Sequence, residues 1–167
     1  LKPDSERNTV ADFSIWQNSG DAALIEHILA RYHQTHRNQF LEILPLAEKV
    51  ASVHAGAFPA EILPLLQAMQ ADLLSHMQKE EQVLFPMLSN GMKQHAAMPI
   101  RVMMHEHEEH EQTIARLLAL TDHFTPPAQA CPSWQRLYAA LQTLVSDLQD
   151  HIELENTVLF ARASAAD

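Results

Sequence analysis

Two stretches of the chain pair a histidine with a glutamate four residues further on. His76-Met77-Gln78-Lys79-Glu80-Glu81-Gln82-Val83-Leu84-Phe85 and His151-Ile152-Glu153-Leu154-Glu155-Asn156-Thr157-Val158-Leu159-Phe160 both read H-x-x-x-E-x-x-x-L-F. On a helix, residues four apart stand one above the other, so each stretch aims an imidazole and a carboxylate at one point. Leu66, Met69, Leu73, His76, Glu80, Val83 and Met87 step by threes and fours, and so do Leu137, Leu141, Leu144, Leu148, His151, Glu155 and Val158. That stepping is a core seam, and each pair lies inside it. A carboxylate buried there without a partner is costly. One such pair reads most simply as a His–Glu hydrogen bond. Two copies on two helices, with the same Leu-Phe downstream, favour a metal.

The sequence has 11 histidines beside 21 acidic residues, a donor mixture that suits iron, manganese or zinc. His33 and His36 both lie near the buried face of the first helix, and periodicity does not choose between them. His54 stands 21 residues beyond His33, about 32 Å along a continuous helix, and reads as a helix-end residue. In the run His105 to Glu111, the seam Ile100, Met104, His107, Glu111, Ile114, Leu118 selects His107. It leaves His105 about 200° away in solvent, with His110 on the edge. The single cysteine, Cys131, excludes an internal disulfide and a cysteine-based zinc site and reads as a loop thiol.

Four helices must position these residues. The expected spans are about 22–53, 60–89, 99–124 and 134–162. Asp21 and Ser133 are expected as caps, Pro59 or Pro64 in the first turn of the second helix, and Gly91 just past its end. Pro45 is expected to kink the first helix, and Thr125-Pro126-Pro127 to stop the third. Residues 1–20 read as a linker or arm with Phe13, Ile15 and Trp16 docking on the body; residues 21–165 read as the bundle. The first residue is Leu1, consistent with a fragment or a processed form.

The fold class expected is all-α, an up-down-up-down four-helix bundle. The halves repeat: His33 precedes His76 by 43 residues and His107 precedes His151 by 44. A pseudo-twofold axis would bring mid-helix residues from all four helices to one level. Four imidazoles and two carboxylates there over-supply one ion. Two ions bridged by both carboxylates would each receive about four ligands, leaving room for an oxo or hydroxo bridge and a small exogenous ligand. With more imidazole and less carboxylate than ferritin-like sites, such a centre suits binding O2 or NO rather than storing iron.

The formal charge of −10 argues against nucleic acid or an anionic membrane as partner. There is no phosphate loop, no bilayer-length apolar run and no signal-peptide pattern; a cytoplasmic location is the default expectation.

The stretches Arg31-Tyr32-His33, Ser75 to Met87, Glu106-His107-Glu108-Glu109 and Asp150 to Phe160, together with Thr125-Pro126-Pro127 and the run Lys49 to His54, resemble the hemerythrin-like domain of the repair-of-iron-centres family over about residues 20–165. The resemblance implies a non-haem di-iron protein of the nitric-oxide stress response that restores damaged iron–sulfur clusters, with NO or O2 as small ligands and damaged iron–sulfur proteins as clients. It implies NO-reducing or iron-donating activity, and puts the ligands on His33, His76, Glu80, His107, His151 and Glu155, favouring His33 over His36. His36, Glu111 and His54 are left as outer or alternative residues. Two departures stand out. The family's N-terminal domain with its cysteine pair, through which an oligomer could form, has no counterpart in this sequence. The fifth histidine of oxygen-carrying hemerythrins is replaced by Glu111. The competing reading is a reversible O2- or NO-binding or sensing module.

Overall fold

The computed structural model describes residues 13–165 and contains four long helical rods. A short helix, α1 (Ser14–Gln17), precedes them. Helix α2 spans residues 21–53, as Asp21–Ile28, a π-helical turn at Leu29–His33, and Gln34–Val53. Helix α3 spans 62–89, as Ile62–Lys79, a π-turn at Glu80–Leu84, and Phe85–Ser89. A 3-10 turn (Lys93–His95) leads to α4 (Ala97–Leu120). Helix α5 spans 132–164, as Pro132–Leu154, a π-turn at Glu155–Leu159, and Phe160–Ser164.

The core gives the topology. One apolar layer takes Phe40 to Val50 of α2, Ile62 to Met77 of α3, Ile114 and Leu117 of α4, and Trp134 to Ile152 of α5. The other takes Leu24 to Tyr32, Leu84 to Leu88, Ile100 and Met103, and Leu154 to Ala163. The order of the layers along the chain reverses from each helix to the next, so neighbours run antiparallel. Between the layers, on every helix, lie the buried His and Glu residues.

Several expectations change in detail. Pro45 lies inside its helix, which runs through to Val53. Gly20, not Asp21, is the N-cap of α2; the Asp21 carboxylate instead accepts from Arg162 and pairs with Lys93. Cys131, not Ser133, caps α5, its sulfur accepting from the Trp134 N–H, with Pro132 as first helical residue. Helix α3 begins at Ile62, so Pro64 rather than Pro59 is in its first turn. Gly91 does follow its end, with a left-handed φ of 72° and the Met92 N–H bonded to Met87 O. Helix α4 stops at Leu120 rather than Phe124: the Thr121 hydroxyl donates to Leu117 O and accepts from Phe124 N–H, while Asp122, His123 and Phe124 all take left-handed backbone.

Of the N-terminal arm, residues 1–12 lie outside the described residues. Phe13 and Trp16 pack against the second apolar layer, but Ile15 is exposed. Arg162 ties the arm down by donating to the Trp16 and Ser19 carbonyls.

Candidate metal centre

His33, His76, Glu80, His107, His151 and Glu155 converge in the layer between the two apolar clusters, all essentially without solvent exposure. They form two tetrads that share both glutamates: His33, Glu80, His151, Glu155 and His76, Glu80, His107, Glu155, the ligand atoms of each lying within 4.8 Å of one another. Nε2 of His33 and of His76 are each 3.3 Å from Glu80 Oε1. Nε2 of His107 is 3.0 Å from Glu155 Oε1, and that of His151 3.3 Å from Glu155 Oε2. The His76 and His107 Nε2 atoms approach to 3.1 Å. Both oxygens of each glutamate, and Nε2 of His33 and His151, are buried without a hydrogen-bond partner among the described residues. Orphaned buried carboxylate oxygens are expensive, and a cation at the centre of each tetrad supplies what they lack. The residues present therefore fit a pair of metal ions.

Each imidazole is held from behind. The Nδ1–H of His33 donates to Glu81 Oε2 at 2.6 Å, that of His76 to Glu106 Oε1 at 3.1 Å, and that of His107 to Asn156 Oδ1 at 2.8 Å. Arg37 braces Glu81 and Lys79 braces Glu106. His151 Nδ1–H donates to His36 Nε2 at 3.0 Å; His36 Nδ1–H donates to Gln39 Oε1, and Gln39 Nε2 to Asp147 Oδ2. Outer partners of this kind fix the tautomer and leave Nε2 free for a metal. His36 is thus buried one step out from the centre. Glu81, Glu106 and Asn156 were not anticipated, although each adjoins a centre residue in sequence.

Burial pushes His33 down to about 4, His36 to about 3 and His76 to about 2, so these imidazoles are neutral at pH 7. Burial also pushes Glu80 well up, helped by the Glu155 charge. Glu155 is held low: burial opposes this, but the His151 and His107 imidazoles close beside its carboxylate outweigh it. Burial likewise opposes, but does not prevent, a raised His107, which the Glu155 carboxylate beside it favours. Protons therefore compete with a metal most strongly at Glu80 and His107, the two whose values are raised.

The remaining expectations divide. His54 is the helix-end residue, its Nε2 3.1 Å from Cys131 Sγ at the far end of α2. His105 is in solvent, paired with Glu109. The seam drawn for α4 is corrected: Met104 and Glu111 are exposed, and Met103, His110 and Leu117 are buried instead. Burying a neutral imidazole costs less than burying a carboxylate, and the helix turns accordingly. Glu111 therefore faces away from the centre, while His110 sits beside it, 4.9 Å from His76 between ring centroids. Val83 is exposed as well, because the π-turn that starts at Glu80 advances the seam by one residue to Leu84 and Leu88.

Comparison with known proteins agrees with this geometry. The chain is 57% identical over 153 residues to the iron-sulfur cluster repair protein DnrN of Neisseria gonorrhoeae, covering 92% of this chain and 98% of that one. It is 43% identical over 149 residues to a probable iron-sulfur cluster repair protein of Haemophilus influenzae, covering 88% of this chain and 67% of that one. To the iron-sulfur cluster repair protein YtfE of Escherichia coli it is 42% identical over 154 residues, covering 91% and 70%. The model of the hemerythrin HHE cation binding domain matches residues 24–163; with a pair of buried His/Glu tetrads at its middle, the chain belongs to that family.

Proposed function

We propose that this chain is a non-haem di-iron protein that restores damaged iron–sulfur clusters under nitrosative or oxidative stress. The observation that carries the reading is the sharing of Glu80 and Glu155 by both tetrads. In it, His33 and His151 would hold one ion and His76 and His107 the other, with Glu80 and Glu155 available to both. The names of the relatives supply the repair role; the mixed imidazole and carboxylate donors suit iron. When bound, a di-iron pair supplies redox change and open positions for a small ligand such as NO or O2. The residues of the chain do the rest. The outer hydrogen bonds keep all four Nε2 atoms aimed inward, the two apolar layers exclude water, and Glu80 and Glu155 would supply the carboxylate charge that holds the ions. Damaged iron–sulfur proteins are the proposed clients, and the cytoplasm the proposed location. No helix is long and apolar enough to cross a membrane among the described residues.

The test is metal content per chain with the optical spectrum, before and after anaerobic reduction and NO addition, followed by reactivation of a client whose cluster has been damaged. About two irons per chain, a spectrum that responds to NO, and client reactivation are expected. One ion per chain, or zinc in preference to iron, overturns the redox reading.

A further inference from the structure

The pseudo-twofold repeat extends beyond the centre, and one of its breaks lies beside the centre histidines. Exchanging α2 with α4 and α3 with α5 relates His33 to His107, His76 to His151 and Glu80 to Glu155. It also relates Glu81 to Asn156, and these do the same work, accepting from Nδ1 of His33 and His107. The spacing His33-x-x-His36 recurs as His107-x-x-His110. His36 accepts from His151 Nδ1–H, the two ring centroids 5.2 Å apart. Its counterpart His110 lies 4.9 Å from His76, the counterpart of His151, with the rings at 78°. Yet His110 Nδ1 is buried and has no hydrogen-bond partner among the described residues.

The cause is the residue before each centre histidine. In α2 it is Tyr32, which stacks on His151, its ring centroid 5.2 Å away at 8°, and accepts nothing from Nδ1. In α4 it is Glu106, which takes the His76 Nδ1–H for itself. Glu106 is reached from solvent by Lys79, so its grip on His76 is open to competition, whereas His110 is sealed inside.

We propose that His110 is a positioning residue for His76: a second, neutral acceptor for its Nδ1–H that alternates with Glu106. The position formed by His76 and His107 then has two settings of ligand strength, because a carboxylate acceptor makes the imidazole a stronger donor than a neutral acceptor does. The position formed by His33 and His151 has one. A centre that must both hold and pass on an ion gains a weaker setting on one side without changing its ligands. This inference rests on the di-iron reading.

The wild-type protein, Glu106→Ala, His110→Ala and the double variant are loaded anaerobically with Fe(II), and affinity is read by competition with a chelator. His110→Ala keeps two irons with little change, since Glu106 still serves; Glu106→Ala keeps two irons but fixes the weaker setting, so affinity at the position formed by His76 and His107 falls by less than in the double variant. The double variant loses about 10- to 100-fold at one of the two positions, the usual effect of removing an outer partner. Glu106→Ala combined with His110→Gln recovers affinity, because the amide oxygen accepts. A double-variant loss equal to the sum of the singles overturns the proposal. If the double variant does not fold, the zinc-loaded Glu106→Ala protein decides by nitrogen-15 spectra of its histidines. Coupling across a hydrogen bond between His76 Nδ1 and a His110 nitrogen is expected, and its absence overturns the alternation. A wild-type chain that binds no pair of irons sinks both this inference and the di-iron reading. A wild type that binds two irons, with additive variants, sinks only this one.

Discussion

Glu80 and Glu155 are the residues on which the centre turns. Without metal, their four oxygens are buried and have no hydrogen-bond partner among the described residues, so each is a cost to the empty protein. Glu80→Leu and Glu155→Leu should therefore fold with full helicity, yet hold fewer than two ions, as read by circular dichroism and metal analysis. Two irons per chain in both variants would contradict the bridging assignment. His105→Ala removes an exposed imidazole paired with Glu109, and metal content should not change. His76, Glu80, His151 and Glu155 were legible in the sequence because a polar pair inside an apolar seam is an anomaly, and here it occurs twice. His33 was separated from His36 only by the family resemblance, and His107 was picked from a seam of which Met104 and Glu111 turn out exposed. The outer partners of the centre residues were less legible. Glu81, Glu106 and Asn156 adjoin centre residues, but which imidazole each would back depends on helix pairing. That His36 serves His151 needed the packing of α2 against α5.

At the level of elements, sequence periodicity assumes a uniform 3.6 residues per turn, and the π-turns violate it. The turns at Leu29–His33, Glu80–Leu84 and Glu155–Leu159 all begin or end at a centre residue, as such turns often do at functional sites. After Glu80 the seam moves from Val83 to Leu84, which is 1% exposed against 47% for Val83. Leu84→Ala should cost about 2–5 kcal/mol; Val83→Ala should stay within about 0.5 kcal/mol. Urea unfolding of the two variants checks this, and equal effects would mean that the helix keeps its ordinary pitch. The phase of α4 was missed for a different reason. Met104, Glu111 and Leu118 fit a three-four pattern as well as Met103, His110 and Leu117 do, and only the cost of burying Glu111 separates them. The helix spans themselves were legible to within a few residues, because Gly91 and the two Pro-rich loops punctuate them. The Cys131 cap was not, since a thiol is an uncommon cap.

Over the whole molecule, a polar layer separates two apolar ones, and the empty protein must bear that layer's cost. His33, His36, His76 and His110 are pushed by burial to about 4, 3, 2 and 4, all below the 6.5 of an exposed imidazole. As pH falls below about 6.5, the unfolded chain takes up protons at these positions and the folded chain does not. Stability therefore falls with pH from that point down towards the folded values. Glu80 acts in the opposite sense: its raised value makes the folded state bind a proton first, stabilising the acid side and losing that contribution as pH rises through it. His107, whose value is raised, acts with Glu80, and Glu155, held low, acts with the four lowered histidines; with those four lowered together, stability falls between about pH 6.5 and 4. Metal-free protein should thus show a urea midpoint that drops between pH 7 and pH 5. Metal-loaded protein should start higher at pH 7, since an ion that binds only the folded state stabilises it. The gap should close in acid as protons on Glu80 and His107 compete with the ion. A midpoint of the metal-free protein that is flat from pH 7 to pH 5 would mean that these imidazoles are not held neutral by burial. The polar layer would then be open to water, and the apolar layers on either side would not be sealing it.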